Sequence, residues 1–356
     1  MTLRRSPLVV GVHHPAVVDT EKLASAWASL PCPVDLRVVP YKEKVKLRRA
    51  RQDPPVSDEL LALAPTPNDA LQAAWREAEA LLTMDLPLER LDEMPRLAWV
   101  QSYSAGLEQF SLGTLAERGI ALTNAAGAGA PAIAEFVFGR LVEVFRNLRG
   151  IEAMQRARDF HRPGGRTLSG RTLGIVGLGS IGGEVARLGR AFGMRTLANK
   201  RSAQPGDVSP LVDRLLGPDG LSEILSESDV VVLCAPATTE TTDLIDAEAL
   251  SRMKQGAVLV NVGRGGLVDE EALLQALQSE HLAAAILDVT RTEPLPKSDP
   301  LWDAPNLYLS PHSSIPPDAY DARLLDLFAE NVRRYVLGEA LLNQIDLSVV
   351  DSSVGD

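Results

Sequence analysis

The chain has 356 residues, a formal net charge of −11, five histidines and two cysteines. That length exceeds what one small core needs and predicts two domains. The acidic balance, with its basic residues scattered, gives no electrostatic footprint for nucleic acid or anionic lipid, so a small molecule is the expected partner.

Cys32 and Cys234 stand far apart with no C-x-x-C, which argues against a disulfide framework or a thiolate metal site and for a cytoplasmic location. The N-terminal "MTLRRSPLVVGVHHPAVVDT" carries two arginines, but its apolar stretch is too short for a secretory signal core. No segment reaches the length of a membrane span. His13, His14, His161, His281 and His312 form no H-x-x-x-H or H-E-x-x-H pattern, and no metal site is expected.

In chain order, "PLVVGVH" reads as a strand. A polar, proline-bearing stretch follows around "KEKVKLRRARQDPPVSDE", then a helix through "DALQAAWREAEALL" and a strand at "RLAWVQS", together a first α/β unit. Residues 131–149, "PAIAEFVFGRLVEVFRNLR", place Ile133, Phe136, Val137, Leu141, Val144, Phe145 and Leu148 on one helical face, as a core-facing helix would.

From about residue 170 the rhythm becomes strand, helix, strand. "LGIVG", "MRTLA", "SDVVVLCAP", "GAVLVNV", "LAAAILDV" and "NLYLS" read as strands, with helices at "IGGEVARLGRAFG", "AEALSRM" and "DEEALLQALQSE". Runs such as "VVVLC" are apolar at every position, as in a parallel sheet covered on both faces. The fold class is therefore α/β, with a Rossmann-type doubly wound parallel sheet. The tail "PPDAYDARLLDLFAENVRRYVLGE" is an amphipathic helix expected to fold back on the first unit.

"TLGIVGLGSIGGEV" holds G-x-G-x-x-G between a strand and a helix. Gly177 permits the tight turn, Gly179 removes a side chain where a pyrophosphate approaches, and Gly182 lets helix and strand pack closely. The helix N-terminus beyond them offers N–H groups and partial positive charge to phosphates. About 20 residues on, where an acid would hold the ribose hydroxyl of NAD, stand Lys200 and Arg201. This cationic pair suits the 2′-phosphate of NADP; the plainer alternative is a solvated loop pair. NADP is the preferred cofactor on this reading, with NAD the alternative.

Ligands of open parallel sheets bind beyond the carboxyl ends of the strands. Three polar residues follow strand ends there: Arg264 in "NVGRGGLVDE", Glu293 in "DVTRTEPLP" and His312 in "LSPHSS". Singly each reads as an ordinary loop residue; as a set at one edge of one sheet they read as a site.

These motifs, with "LSGRTLGIVGLGSIG", "ESDVVVLCAPATTETTDLID" and "MKQGAVLVNVGRGGLVDEEALLQAL" in the same order, resemble the D-isomer-specific 2-hydroxyacid dehydrogenase family. The likeness is close over residues 120 to 312. Upstream it rests on "AWREAEALL" and "MPRLAWVQSYSAGLEQF". The resemblance implies a catalytic arginine, glutamate and histidine at Arg264, Glu293 and His312, with Arg264 and His312 also touching substrate. It implies a substrate-carboxylate turn at Ser104, Ala105 and Gly106, where the family carries a glycine in place of Ser104. Cofactor contacts fall on Ser180 and Ile181 in the glycine turn, on Cys234, Pro236 and Thr241 at and after the end of "SDVVVLCAP", and on Val262, Gly263 and Asp288 at the nicotinamide end.

The resemblance also implies a second, flavodoxin-like α/β substrate domain, built from residues 1–122 and 316–356 around a dinucleotide-binding domain at 123–315. It implies a homodimer, with the 131–149 helix moved from core towards the interface. The expected activity is reduction of small 2-oxo acids, glyoxylate or hydroxypyruvate foremost. The alternatives are a phosphite dehydrogenase-like oxidoreductase or a nucleotide-sensing, corepressor-like protein. Lys200 in place of the family acid, Thr290 where an aromatic is common, and "SSIPPDAY" after His312 depart from the family pattern.

Overall fold

The computed structural model describes residues 6–14, 18–51, 55–107 and 109–349. Arg4 and Arg5 of the N-terminal segment, and residues 52–54 of the polar stretch, lie outside them. The chain divides into two compact units, Met1–Ala128 with Asp318–Asp356, and Gly129–Pro317.

The first unit runs β1 (Leu8–Val12), α1 (Thr20–Trp27), β2 (Val34–Val38), α2 (Val45–Ala50), α3 (Asp58–Leu61), α4 (Asp69–Glu77), β3 (Ala80–Thr83), β4 (Trp99–Ser102), α5 (Leu112–Glu117) and β5 (Ala121–Thr123). Its strands are all parallel, in the flavodoxin-like order β2-β1-β3-β4-β5. The helix expected to run through "AEALL" stops at Glu77, and the next apolar residues are strand β3 at the centre of the sheet. Asn68 caps the start of α4, its Oδ1 accepting from Leu71 N at 2.9 Å. Ala80–Thr83 is buried at every position; so short an apolar run looks alike as helix or covered strand, and burial on both faces decides for the strand.

The polar stretch also contains the short helices α2 and α3. The changeover between units lies at Ala128/Gly129, where the sequence reading put it after 122. The reason is that β5 pairs with β4, and Ala125 and Ala128 pack in the first unit's core.

The second unit opens with α6 (Ala130–Phe145) and α7 (Leu148–Ala157). It continues β6 (Thr172–Val176), α8 (Ser180–Ala191), β7 (Arg195–Asn199), β8 (Arg214–Leu216), α9 (Leu221–Glu227), β9 (Val230–Leu233), α10 (Ala247–Arg252), β10 (Ala257–Asn261), α11 (Glu270–Gln278), β11 (Leu282–Leu287) and β12 (Leu307–Leu309). Ile133, Val137, Phe138, Leu141 and Phe145 of α6 join Leu173, Ile175 and Val185 in one core. The apolar face of α6 is thus buried within its own unit, each large side chain contributing about 1.5–3 kcal/mol of burial. By contrast α7 buries no residue, and Leu148 and Ile151 stay exposed.

The second sheet is parallel, in the order β12-β11-β10-β9-β6-β7-β8. From β6 the chain steps outward through β7 and β8, then returns to the other side at β9. The reversal therefore falls between β6 and β9, the place where such sheets leave a ligand crevice at their carboxyl ends.

The last long helix, α12 (Pro317–Leu337), sends Leu324, Leu325, Phe328 and Val332 into the first unit's core beside Leu8, Val10, Trp27 and Trp99. Among the described residues no helix is long and apolar enough to cross a membrane.

Candidate functional site

The glycine turn sits at the reversal, between β6 and α8. Gly177 has φ +100°, and a Cβ there would fall 3.0 Å from Ala235 N, so both backbone and packing require glycine. At Gly182 a Cβ would lie 2.3 Å from the carbonyl oxygen of Gly177, which sets how closely α8 meets the turn. Gly179 is different. Its φ of −99° and ψ of −154° are open to any residue, and a Cβ there would meet nothing within 4 Å.

Neither strain nor packing demands glycine at that position. What its absent side chain keeps clear is space before the first turn of α8, where Ser180 and Ile181 present N–H groups with no intrahelical acceptor. Such space beside a helix N-terminus fits the pyrophosphate of a dinucleotide.

Asn199, the last residue of β7, pins the turn: its Oδ1 accepts from Gly177 N at 2.9 Å and its carbonyl accepts from Leu178 N at 2.9 Å. The local sequence marks this residue only by its place immediately before Lys200. Lys200 and Arg201 follow it in an exposed turn anchored by Lys200 N to Leu216 O at 3.0 Å. Among the described residues, no carboxylate pairs with either cation.

Across the reversal, Cys234 N donates to Val176 O at 2.8 Å, and burial pushes the Cys234 thiol up to about 12, so it remains a neutral thiol. The Thr241 hydroxyl donates to Pro236 O at 2.8 Å and accepts from Thr238 N at 2.7 Å, folding the loop after β9 on itself. Val262 is buried, and Gly263 lies so close to this loop that a Cβ would fall 2.8 Å from Ala235 O.

Arg264, Glu293 and His312 follow β10, β11 and β12, three neighbouring strands at one edge of the sheet. The first two loops are packed together: a Cβ on Gly265 would fall 2.0 Å from the carbonyl carbon of Thr290. From the second loop, Glu293 Oε1 accepts from Thr290 N at 3.2 Å while Oε2 accepts from His312 Nδ1 at 2.9 Å. The His312 side chain is 55% exposed and that of Glu293 37%, so the imidazole is both oriented and accessible. The Arg264 guanidinium donates to Gly263 O at 3.0 Å, and Asn261 Nδ2 holds Arg264 O at 2.9 Å.

His312 has φ +51°, an unusual conformation for a non-glycine residue. Asp288 supports it. Its carbonyl accepts from His312 N at 2.8 Å, and its buried carboxylate accepts from the Ser310 hydroxyl at 2.7 Å, Ser313 N at 2.9 Å and Ser314 N at 3.3 Å. In these contacts Asp288 serves the loop that carries the histidine.

Ser104, Ala105 and Gly106 lie in the first unit, just beyond β4. Among the described residues no cluster of three or more His, Cys, Asp or Glu side chains is placed to hold a metal ion.

Fold and turn together define a dinucleotide-binding α/β protein. Residues 138–314 match the family model described as D-isomer specific 2-hydroxyacid dehydrogenase, NAD binding domain. The chain is 34% identical over 300 residues to a glyoxylate reductase of Aeropyrum pernix, covering 80% of this chain and 88% of that one. A crystal structure of a D-isomer specific 2-hydroxyacid dehydrogenase family protein from Aeromonas salmonicida superposes with a TM-score of 0.75 at 31% identity, covering 96% of this chain and 100% of that one. A family member from Xanthobacter autotrophicus, solved in complex with NADPH and MES, gives a TM-score of 0.71 at 26% identity, over 96% and 99% of the two chains. The chain belongs to the D-isomer specific 2-hydroxyacid dehydrogenase family. It is accordingly an oxidoreductase that works with a nicotinamide cofactor on a CH–OH donor.

Proposed function

We propose that this enzyme reduces small 2-oxo acids to D-2-hydroxy acids, with glyoxylate or hydroxypyruvate as the leading substrates and NADPH as the preferred reductant. The observation that carries the reading is the 2.9 Å contact between His312 Nδ1 and Glu293 Oε2 at the carboxyl edge of the sheet. It is supported by relatives that are themselves glyoxylate reductases.

Arg264 binds the substrate carboxylate and polarises the neighbouring carbonyl, since its guanidinium stays charged at any working pH. Glu293, accepting from Nδ1–H, fixes the ring so that Nε2 faces the substrate and stabilises the positive charge of the doubly protonated imidazole. His312 then gives its Nε2 proton to the carbonyl oxygen, and in the oxidative direction takes it back. When bound, the dinucleotide supplies hydride to the carbonyl carbon.

Gly177, Gly179, Gly182, Ser180 and Ile181 would hold its pyrophosphate. Lys200 and Arg201 would grip the 2′-phosphate, while Cys234, Pro236, Thr241, Val262, Gly263 and Asp288 would line the rest. Ser104, Ala105 and Gly106 are assigned to the substrate carboxylate. The exposed Leu148 and Ile151 of α7 support a homodimer through that helix, and the two unpaired cysteines support a cytoplasmic location.

A spectrophotometric panel tests the reading: glyoxylate, hydroxypyruvate, pyruvate and phenylpyruvate, each with NADPH and with NADH, plus phosphite with the oxidised cofactors. Turnover of glyoxylate or hydroxypyruvate, faster with NADPH, is expected. Turnover of phosphite alone, or of nothing, contradicts the reading.

A further inference from the structure

The turn after β4 is held by its carbonyl groups. Ser104 O accepts from Ala125 N at 3.1 Å, Ala105 O from Asn124 Nδ2 at 2.9 Å, and Gly106 O from the Ser104 hydroxyl at 2.7 Å. Three successive carbonyls are thus captured by donors of the same unit. In a planar trans peptide the C=O of one residue points opposite to the N–H of the next. Capturing these three carbonyls therefore turns the N–H groups of Ala105, Gly106 and Leu107 the other way. Among the described residues none accepts from any of the three. Successive unpaired backbone N–H groups in a turn are donors that an anion can use.

The capture depends on side chains the reaction does not otherwise use. The Ser104 hydroxyl, while donating to Gly106 O, accepts from Gln109 Nε2 at 3.0 Å and lies 3.2 Å from Ser102 Oγ. Ser102 Oγ also accepts from Ser104 N at 3.1 Å. Gln109 is buried, and its Nε2 also reaches Met84 O at 3.3 Å, tying the turn to the segment after β3. A glycine in place of Ser104 would supply no hydroxyl for Gly106 O.

We propose that Ser104, Gln109 and Asn124 are positioning residues that aim the N–H groups of Ala105, Gly106 and Leu107 at the carboxylate of a 2-oxo acid. This rests on the reading that the turn takes that carboxylate, and it adds both the third N–H and the brace behind it. Loss of the brace leaves the N–H groups present but no longer aimed. The effect should therefore fall on carboxylate affinity and spare both the proton donor and the cofactor.

The test compares wild type with Ser104→Ala, Ser104→Thr and Gln109→Ala. Four quantities are measured: KM and kcat for glyoxylate, affinity for the unreactive analogue oxamate on enzyme saturated with NADPH, and affinity for NADPH alone. Ser104→Ala and Gln109→Ala should each raise the glyoxylate KM and weaken oxamate by about tenfold, the scale of one hydrogen bond to a charged group. NADPH affinity should be unchanged and kcat within about threefold, and Ser104→Thr, which keeps the hydroxyl, should restore most of the loss.

Ser104→Ala binding oxamate as wild type does would overturn the proposal, as would equal weakening of NADPH and oxamate. If Gln109→Ala fails to bind NADPH through misfolding, the Ser104 pair decides alone. A wild-type enzyme that neither reduces a 2-oxo acid nor binds oxamate would remove the carboxylate reading itself. Wild-type activity with indifferent variants removes only the brace.

Discussion

His312 Nδ1 lies 2.9 Å from Glu293 Oε2, although the two residues are carried by loops after different strands. The contact leaves Nε2 as the ring atom that can meet a substrate. Both side chains are partly exposed, so their attraction is worth about 1 kcal/mol at most, and orientation is the larger part of what Glu293 supplies.

Glu293→Gln keeps the shape and removes the charge. Reduction should slow by one to two orders of magnitude, about what a misdirected general acid costs. The steady-state kcat for glyoxylate checks this. An unchanged kcat would deny Glu293 its role.

Gly179 separates folding from binding. Since a Cβ there meets nothing within 4 Å and the backbone suits any residue, Gly179→Ala should melt within about 1–2 °C of wild type. It should nevertheless weaken NADPH and NADH alike by at least about tenfold. Calorimetric melts and cofactor titrations provide the measurement. Undiminished binding would mean that no phosphate approaches this turn.

Lys200 and Arg201 bear on cofactor choice. Lys200→Asp with Arg201→Ala should weaken NADPH by about a hundredfold or more, as expected when charge-assisted bonds to a phosphate are lost. NADH should be affected far less. Equal effects on the two cofactors would assign this pair to solvent.

His13, one residue beyond β1, gives the first unit a pH dependence. Burial pulls its imidazole down to about 4 from the ordinary 6.5, and Trp75 Nε1 donates to its Nε2 at 3.1 Å. The unfolded chain binds a proton at this residue below about pH 6.5, while the folded chain does so only below about 4. Stability should therefore fall through that window on acidification, by up to about 3 kcal/mol, and this contribution should level off beneath it. His13→Gln should lose less melting temperature than wild type between pH of about 7.5 and about 5, whatever its stability at neutral pH. Identical acid sensitivity would assign the loss elsewhere.

The second unit was legible because its sequence is redundant. The covered strands are apolar throughout, and glycines mark a turn whose neighbours are unambiguous. Its candidate chemistry was legible because Arg264, Glu293 and His312 each follow a strand end.

The first unit was less so. β3 merged with α4 because "ALLT" has no periodicity of its own. β2 was missed because its alternation, "VDLRV", spans only five residues between Pro33 and Pro40, and its burial is uniform instead of alternating. Bracing contacts were invisible for a different reason. Gln109 meets Met84 O across 25 residues, and Asp288 meets Ser313 N across 25. Asn199 reaches Gly177 N across 22, and no local pattern announces such partners.

The most direct measurement is NADPH consumption with glyoxylate by wild type and by His312→Ala, alongside the affinity of each for NADPH. Removal of the His312 imidazole should lower kcat by about two to four orders of magnitude while NADPH binds as before. A variant that reduces glyoxylate at the wild-type rate would contradict the assignment of His312, and with it the chemistry built around that edge of the sheet.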